Sequence, residues 1–158
     1  MLVLLVDDED AIVNLLRSLL KENGFEVLSA HNGQEALERF KQVQIDLVIS
    51  DIYMPGMDGI KLHEALRARP EYAKLPFLFI SGYDDAYTAG AVRDSRYDGF
   101  WRKTGDVSDL IRWVQYFSQP ENKRSRIRPD GVLIPPFVEQ RPDVEKLNPK
   151  TGKGAKPS

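Results

Sequence analysis

The first three quarters of the chain alternate between short apolar runs and longer stretches in which apolar residues recur at helical spacing. A strand that is buried on both faces reads as a continuous apolar run, whereas an amphipathic helix repeats its apolar positions every three or four residues. This alternation predicts a parallel sheet that is covered by helices on both faces. The predicted strands are 2–6, 25–28, 46–50, 77–80 and 97–101.

The helical stretches also carry signals for where they begin and end. The first has a stripe formed by Ile12, Leu15, Leu16, Leu19 and Leu20. Asn32 and Glu35 stand three residues apart, the spacing of a capping box at the start of the second helix. The stretch 84–94 is poor in large apolar residues, so we expect a weak, mobile fourth helix. Five strands and five helices predict an α/β, doubly wound, flavodoxin-like fold with strand order 2-1-3-4-5.

Polar side chains stand at or just beyond the C-terminal ends of four predicted strands. They are Asp7 and Asp8 after the first, Asp51 after the third, Ser81 after the fourth and Lys103 after the fifth. Parallel sheets place ligand sites at this edge. Clustered carboxylates repel one another unless a hard cation shares them, and an all-oxygen site favours Mg²⁺. The pattern therefore predicts a Mg²⁺ site that takes up a phosphoryl group.

Composition divides the chain near residue 118. Residues 1–117 carry 13 basic and 19 acidic residues, whereas residues 118–158 carry 9 and 5 and contain seven of the ten prolines. We expect a domain over 1–118 and a basic, Pro-rich tail over 119–158 that is largely extended or disordered. There is no cysteine, and no apolar run is long enough to span a bilayer, so we expect a cytoplasmic protein without membrane contact.

The residues at the strand ends resemble those of a known family, the receiver domain of two-component response regulators, including the single-domain regulators of chemotaxis. The resemblance rests on Asp7-Asp8, on Asp51 with its tail Met54-Pro55-x-Met57-Asp58-Gly59, and on Ser81 and Lys103. It covers roughly residues 1 to 117. Each piece alone has an ordinary explanation, such as a helix cap, a turn or a solvated charge. All four in the right order make the likeness specific.

The resemblance implies a role for each acidic residue. Asp51 is expected to be the nucleophile, which becomes an aspartyl phosphate. Asp8 and Asp51 are expected to ligate Mg²⁺ directly, and Asp7 directly or through water. The backbone carbonyl of Tyr53 would complete the protein ligands. Lys103 is expected to pair with Asp51 at rest and with a phosphoryl oxygen afterwards.

The resemblance also implies a conformational switch. Ser81 is expected to donate a hydrogen bond to a phosphoryl oxygen and to move inward on phosphorylation. Phe100 matches the family's switch aromatic and would rotate into the vacated space. This movement would remodel the face formed by the fourth helix, the fifth strand and the fifth helix. The alternative is that Phe100 is a permanently buried core residue.

Two features of the loops modify this expectation. Thr104 follows Lys103 where the family usually has proline, and a cis peptide before a non-proline residue costs about 2.5–4 kcal/mol. We therefore expect this loop to be trans or rearranged. In the family that the sequence resembles, the positions of Tyr53 and Tyr83 flank the phosphoryl group, and we hypothesise that these two rings slow the attack of water.

Three functions can be compared at this stage. The first is a signalling module that is phosphorylated by a histidine kinase or a phosphotransfer protein and then alters its binding of a downstream protein; it catalyses only its own phosphorylation and dephosphorylation. The second is a small aspartate-based phosphohydrolase, which would need an acid where Tyr53 stands. The third, a flavodoxin-like electron carrier, is rejected because the acids at 7–10 would repel a flavin phosphate.

The sequence leaves the molecular context open. The chain can be a receiver fragment of a larger regulator or hybrid kinase, and a homodimer that forms on phosphorylation is a further alternative. The basic residues of the tail are dispersed and do not indicate nucleic-acid binding. The apolar cluster at 132–138 is expected to contact a partner or, alternatively, to pack back over the fourth helix.

Overall fold

Strands and helices alternate along the chain, as the hydrophobic pattern predicts. The computed structural model describes residues 1–135. The strands are β1 (Leu2–Val6), β2 (Glu26–Ala30), β3 (Leu47–Asp51), β4 (Phe77–Ser81) and β5 (Asp98–Arg102). The helices are α1 (Asp10–Glu22), α2 (Gly33–Phe40), α3 (Gly59–Arg67), α4 (Ala86–Ala89) and α5 (Val107–Ser118). Short 3-10 helices occupy Pro70–Tyr72 and Glu121–Lys123.

The five strands form one sheet in the order β2-β1-β3-β4-β5, and all neighbouring strands are parallel. The predicted doubly wound fold and its strand order are therefore confirmed. Val6 at the end of β1 pairs with Ser50 in β3, and Ser81 at the end of β4 pairs with Arg102 in β5. This register brings the C-terminal ends of β1, β3, β4 and β5 to one edge of the sheet.

Apolar side chains fill both faces of the sheet. On one face, Val48, Phe77 and Phe79 belong to a buried cluster with residues of α2 and α3. On the other, Leu5, Ile49 and Ile80 belong to a cluster with residues of α1 and α5. Burial on both faces explains why β1, β3 and β4 read as continuous apolar runs. Among residues 1–135, no helix has the length and apolar character needed to cross a membrane.

The fourth helix is shorter than the sequence predicts. It covers only Ala86–Ala89 instead of 84–94, and the chain leaves it at Gly90. Its start is well defined, because the Asp85 side chain accepts a hydrogen bond from Thr88 N at 2.9 Å and the Thr88 hydroxyl accepts one from Asp85 N. A good cap without a large apolar stripe sustains only one turn, since most helical stability comes from packing.

Two smaller predictions about the helices are corrected in part. Leu15 is 57% exposed, and Val13 takes its place beside Leu16 and Leu20 on the buried face of α1. Asn32 does cap α2, accepting a hydrogen bond from Glu35 N at 2.8 Å. The Glu35 side chain does not complete the capping box; it lies 3.3 Å from an Arg39 nitrogen instead.

Gly59 allows α3 to begin directly against the end of β3. A Cβ atom at this position would lie 2.1 Å from the carbonyl oxygen of Asp51, which no side chain can tolerate. The Gly59 amide donates to the carbonyl of Ile52 at 2.8 Å. The glycine thus fixes the backbone of Asp51 and of the loop that follows.

The segment after α5 contacts the domain through the buried side chain of Arg128. Arg128 is only 5% exposed and donates to the carbonyls of Ser95 at 2.8 Å and Asp98 at 2.9 Å. Its guanidinium also lies 4.9 Å from the ring centroid of Trp113. The expectation of a largely extended or disordered tail over 119–158 stays a prediction. Residues 136–158, including part of the apolar cluster at 132–138, lie outside the described residues, and the domain boundary at 118 stays a prediction.

We predict that Arg128→Ala lowers the free energy of unfolding by about 1–3 kcal/mol, because the half-buried carbonyl of Ser95 and the buried carbonyl of Asp98 lose their charged donor. Urea unfolding followed by circular dichroism measures the change. Lys123→Ala, which removes an exposed cation from the same segment, is the matched control and should change stability by less than about 0.5 kcal/mol. Equal stability of the two variants would show that the segment after α5 does not stabilise the domain.

Candidate functional site

Three carboxylates meet at the C-terminal edge of the sheet. Asp7 and Asp8 follow β1, and Asp51 is the last residue of the neighbouring strand β3. One carboxylate oxygen from each residue lies within 4.8 Å of the other two. Asp7 and Asp51 are buried, whereas Asp8 is exposed. The structure therefore assembles the acidic cluster that the strand pattern indicates.

Lys103 reaches this cluster from the end of β5. Its Nζ lies 2.9 Å from Asp7 Oδ2 and 3.2 Å from Asp51 Oδ2. A third acid, Glu9, lies 3.1 Å from the same nitrogen and was not among the predicted site residues. Its place in the acidic run after β1 was the available signal. The Lys103 amide also donates to the carbonyl of Ser81 at 3.0 Å, which ties the lysine to the end of β4.

Burial and the attraction between opposite charges shift the pKa values of these groups in opposite directions. Burial, followed by the charge of Asp7, raises the pKa of Asp51 to about 6 in spite of the nearby Lys103. Burial likewise raises the pKa of Asp7. Burial alone would lower the pKa of Lys103, but the carboxylates of Asp7 and Asp51 outweigh it and raise that pKa. A single ammonium thus leaves the cluster with excess negative charge.

The cluster has the donor set that a hard cation requires. Asp7 Oδ1 accepts a hydrogen bond from the Glu9 amide at 2.9 Å, but the buried Asp7 Oδ2 accepts none from any described residue and has only the ion pair with Lys103. An unsatisfied buried carboxylate oxygen is costly unless a cation completes its coordination. All the available ligands are oxygens, as Mg²⁺ prefers. The residues present therefore fit Mg²⁺.

Among the described hydrogen bonds, none joins the side chain of Tyr53 or Ser81 to the carboxylates of the cluster. Tyr53 stands two residues beyond Asp51, in the loop that leads to α3. Ser81 is fully buried at the end of β4, and its hydroxyl accepts a hydrogen bond from the Tyr83 amide at 3.1 Å. None of the described hydrogen bonds joins the Ser81 hydroxyl to Lys103. A serine hydroxyl that accepts a hydrogen bond retains its own hydrogen as a donor.

Three tyrosines pack together on the segments that follow β3 and β4. The ring of Tyr53 lies 5.1 Å from Tyr83 and 5.8 Å from Tyr87, measured between centroids. The Tyr53 hydroxyl donates to the Asp85 carboxylate, a hydrogen bond that raises the pKa of Tyr53 to about 12. The Tyr87 hydroxyl donates to Asp58 at 2.6 Å. These contacts join α4 to the loop before α3. We call the five side chains the tyrosine clasp: Tyr53, Tyr83, Tyr87, Asp58 and Asp85.

Only part of this clasp was anticipated. Tyr53 and Tyr83 were expected to flank the site, whereas the contributions of Tyr87 and Asp85 were not. Both belong to the short turn of α4, whose position the weak hydrophobic pattern did not define. The N-cap position of Asp85, which both starts α4 and accepts the Tyr53 hydroxyl, was the one local signal.

Phe100 lies in β5, where it pairs with Phe79 of β4. It is partly buried and packs against the cluster between the sheet and the α2/α3 side. The ring is therefore neither fully in the core nor fully in solvent, and its assignment as a switch residue stays a prediction. No cis peptide occurs in residues 1–135, so the Lys103–Thr104 bond is trans.

Sequence comparison finds a matching family model and similar proteins. A family model described as the response regulator receiver domain matches residues 3–115. The transcriptional regulatory protein TrcR of Mycobacterium tuberculosis is 34% identical over 109 residues, covering 69% of this chain and 42% of TrcR. The regulatory protein AtoC of Escherichia coli is 34% identical over 127 residues, covering 80% of this chain and 27% of AtoC. This chain therefore spans less than half the length of either relative.

Solved structures agree with this likeness. The response regulator TrrA of Thermotoga maritima, in complex with Mg²⁺-BeF, is 30% identical with a TM-score of 0.64, and the match covers 73% of this chain and 97% of TrrA. The receiver domain of the hybrid histidine kinase CckA is 36% identical with a TM-score of 0.60, and the match covers 75% of this chain and all of that domain. Regulators and kinases both contain domains similar to this one.

We predict that Asp51→Asn raises the free energy of unfolding at pH 7 in Mg²⁺-free buffer, because it removes a buried charge. The folded carboxyl has a pKa of about 6 against an ordinary value of 3.8. The folded protein therefore binds more protons between these values, and its stability falls as pH rises through them. The gain should be about 1–3 kcal/mol at pH 7 and should disappear below about pH 4, as measured by urea unfolding.

The control for this prediction is Glu22→Gln, which removes an exposed carboxylate at the end of α1. Its free energy of unfolding should follow that of the wild type within about 0.5 kcal/mol at every pH. If Asp51→Asn proved less stable than the wild type at pH 7, the ion pair with Lys103 would outweigh the cost of burial, contrary to our assignment.

Proposed function

Since the chain belongs to the response regulator receiver domain family, we propose that Asp51 accepts a phosphoryl group from a histidine kinase or a phosphotransfer protein and that the phosphorylated form signals through altered partner binding. Members of this family are signalling modules of two-component systems. The observation that carries the proposal is the convergence of three carboxylates and Lys103 at one edge of the sheet. This set both attracts a cation and presents a nucleophile.

The reaction is a displacement at phosphorus. One carboxylate oxygen of Asp51 attacks, an O–P bond forms, and the bond between phosphorus and the donor's nitrogen or oxygen breaks. Negative charge spreads over the three equatorial phosphoryl oxygens, so cations near them lower the barrier. Lys103 is close enough to exchange its contact with Asp51 for a contact with one of these oxygens.

Mg²⁺ would be held by the carboxylates of Asp7, Asp8 and Asp51 and by the backbone carbonyl of Tyr53. When bound, it supplies charge neutralisation for the carboxylates and the phosphoryl oxygens. The unsatisfied oxygen of Asp7 and the raised pKa of Asp51 support this assignment. Both indicate a pocket that is short of positive charge while Lys103 is its only described cation.

The response is proposed to run from Ser81 to Phe100. The Ser81 hydroxyl accepts a hydrogen bond from the Tyr83 amide and keeps its own hydrogen for donation to a phosphoryl oxygen. Phe100 lies in the neighbouring strand and is only partly buried, so its ring can move to a more buried or a more exposed position. The resulting change would alter the face formed by α4, β5 and α5, where the downstream protein would bind.

The tyrosine clasp (Tyr53, Tyr83, Tyr87, Asp58 and Asp85) is proposed to restrict access to the acyl phosphate. Hydrolysis requires water to approach in line with the bond that breaks, and the rings of Tyr53 and Tyr83 pack together on the loops that follow Asp51 and Ser81. A phosphohydrolase, the alternative function, would need a second acid where Tyr53 stands. The Tyr53 hydroxyl is instead engaged by Asp85, so the arrangement supports a long-lived phosphoryl group over turnover.

We predict that acetyl phosphate with Mg²⁺ labels the wild type and Asp109→Asn but not Asp51→Asn. The amide of the variant keeps the shape of the side chain and removes the nucleophilic oxygen, whereas Asp109 is exposed in the first turn of α5. Mass spectrometry of the intact protein measures the adduct. Labelling of Asp51→Asn at the wild-type level would place the acceptor elsewhere.

We also predict that Mg²⁺ stabilises the wild type against heat and that Asp8→Asn loses this response. Asp8 is exposed, so the substitution itself should change stability by less than about 0.5 kcal/mol without Mg²⁺. Differential scanning calorimetry with Mg²⁺ or with EDTA separates the two effects. An unchanged Mg²⁺ response in Asp8→Asn would remove Asp8 from the proposed ligands, whatever the outcome of the labelling experiment.

A further inference from the structure

A separate cavity lies at the opposite edge of the sheet from the carboxylates. Its volume is about 560 Å³, within the range of sites for small organic ligands. Lys74 and Arg96 line it from the segments that precede β4 and β5, and Tyr116 lines it from the last turn of α5. Strands begin at this edge, so the cavity is remote from Asp51, where β3 ends.

The lining of this cavity is strongly basic. Four cationic side chains contribute to it: Lys74, Arg96, Arg124 and Arg126. Glu121 also lines the cavity, but it accepts the hydroxyl hydrogen bond of Tyr97 at 2.7 Å. Arg96 pairs with Asp94 at 2.8 Å. Within residues 1–135, the other three cations form no ion pair, so the cavity carries excess positive charge.

Two of the arginines are held in place by backbone groups. Arg124 donates through Nε to the carbonyl of Gln119 at 3.0 Å and through Nη2 to that of Phe117 at 3.2 Å. Arg126 donates through Nε to the carbonyl of Ile134 at 3.2 Å. A guanidinium has five N–H donors, so each arginine retains donors for a ligand. Burial also lowers the pKa of Arg124, a cost that an anion would offset.

The wall contributed by the segment after α5 is anchored to the domain. The Tyr116 hydroxyl donates to the carbonyl of Ser125 at 3.1 Å, and Ile134 N donates to the carbonyl of Arg126 at 2.8 Å. The buried Arg128 joins the same segment to β5. These contacts hold the wall of the cavity in place, which reduces the entropy lost on binding.

We propose that this cavity binds a small organic phosphate. The planar, forked donors of arginine match the oxygens of a phosphate group, and the uncompensated cations favour a dianion. The ring of Tyr116 and the side chains of Ile134 and Pro135 provide the apolar part of the lining, which suits a compact planar or apolar body. The site shares no residue with the acidic cluster, so it stands independently of the proposed phosphorylation of Asp51.

Isothermal titration calorimetry of the full-length protein with adenosine 5′-monophosphate tests this proposal. EDTA is included so that the carboxylate cluster stays without Mg²⁺ and repels the probe. Saturable binding is expected with a dissociation constant of about 1 mM or below. Inorganic phosphate, which lacks the organic body, should bind at least about tenfold more weakly. Equal affinities would overturn the role of the apolar lining, and no saturable binding of either probe would overturn the site.

Charge-matched variants localise the effect. The double variant Lys74→Gln/Arg126→Gln should bind the nucleotide at least about tenfold more weakly. The control Lys41→Gln/Arg112→Gln removes the same charges from exposed ion pairs with Glu38 and Asp109 and should bind like the wild type. Equal weakening in both would show unspecific charge attraction and overturn the site.

Amide NMR spectra keep the test valid if the double variant folds poorly. In the wild type, the nucleotide should shift the signals of residues 116–126 and of Lys74 and Arg96. The signals of Asp7, Asp8 and Asp51 should stay in place. Shifts confined to residues outside the cavity would contradict the proposal.

Discussion

The structure depends on one electrostatic constraint. Three carboxylates lie at adjoining strand ends, and the ammonium group of Lys103 is the one described cation that offsets their charge. Lys103 Nζ contacts Asp7 and Asp51 while Asp8 remains in solvent. Burial raises the pKa of both buried acids, so the pocket is left with excess negative charge and an unsatisfied oxygen. A site of this kind is costly in the resting fold, and added positive charge would lower that cost.

The rest of the fold holds this arrangement in place. Apolar layers on both faces fix the strand register, and the register sets where each strand ends. Gly59 lets α3 start against the backbone of Asp51, and the Lys103 amide is tied to the carbonyl of Ser81. On the outside, the Tyr87–Asp58 hydrogen bond joins α4 to the loop before α3. The acids therefore cannot separate to relieve their repulsion without disturbing the core.

Sequence patterns predicted the parts of the molecule that depend on burial and strand topology. Continuous apolar runs identified the strands, and the polar residues that follow them identified the acidic cluster and Lys103. The patterns failed where one contact decides the outcome. Nothing in a Pro-rich basic segment marks Arg128 as the residue that caps β5, and the length of α4 was overestimated because its cap at Asp85 sustains only one turn. Tyr87 was also missed, because its hydrogen-bond partner Asp58 is distant in sequence.

The most direct test of this account is to locate the phosphoryl group chemically in the wild-type protein. Borohydride reduces an acyl phosphate on aspartate to homoserine, which leaves a permanent mark at the acceptor. After treatment with acetyl phosphate and Mg²⁺, followed by reduction and peptide mass spectrometry, the account predicts homoserine at position 51 and at no other aspartate. Homoserine at Asp7 or Asp8, or phosphate recovered only on a hydroxyl side chain, would contradict it.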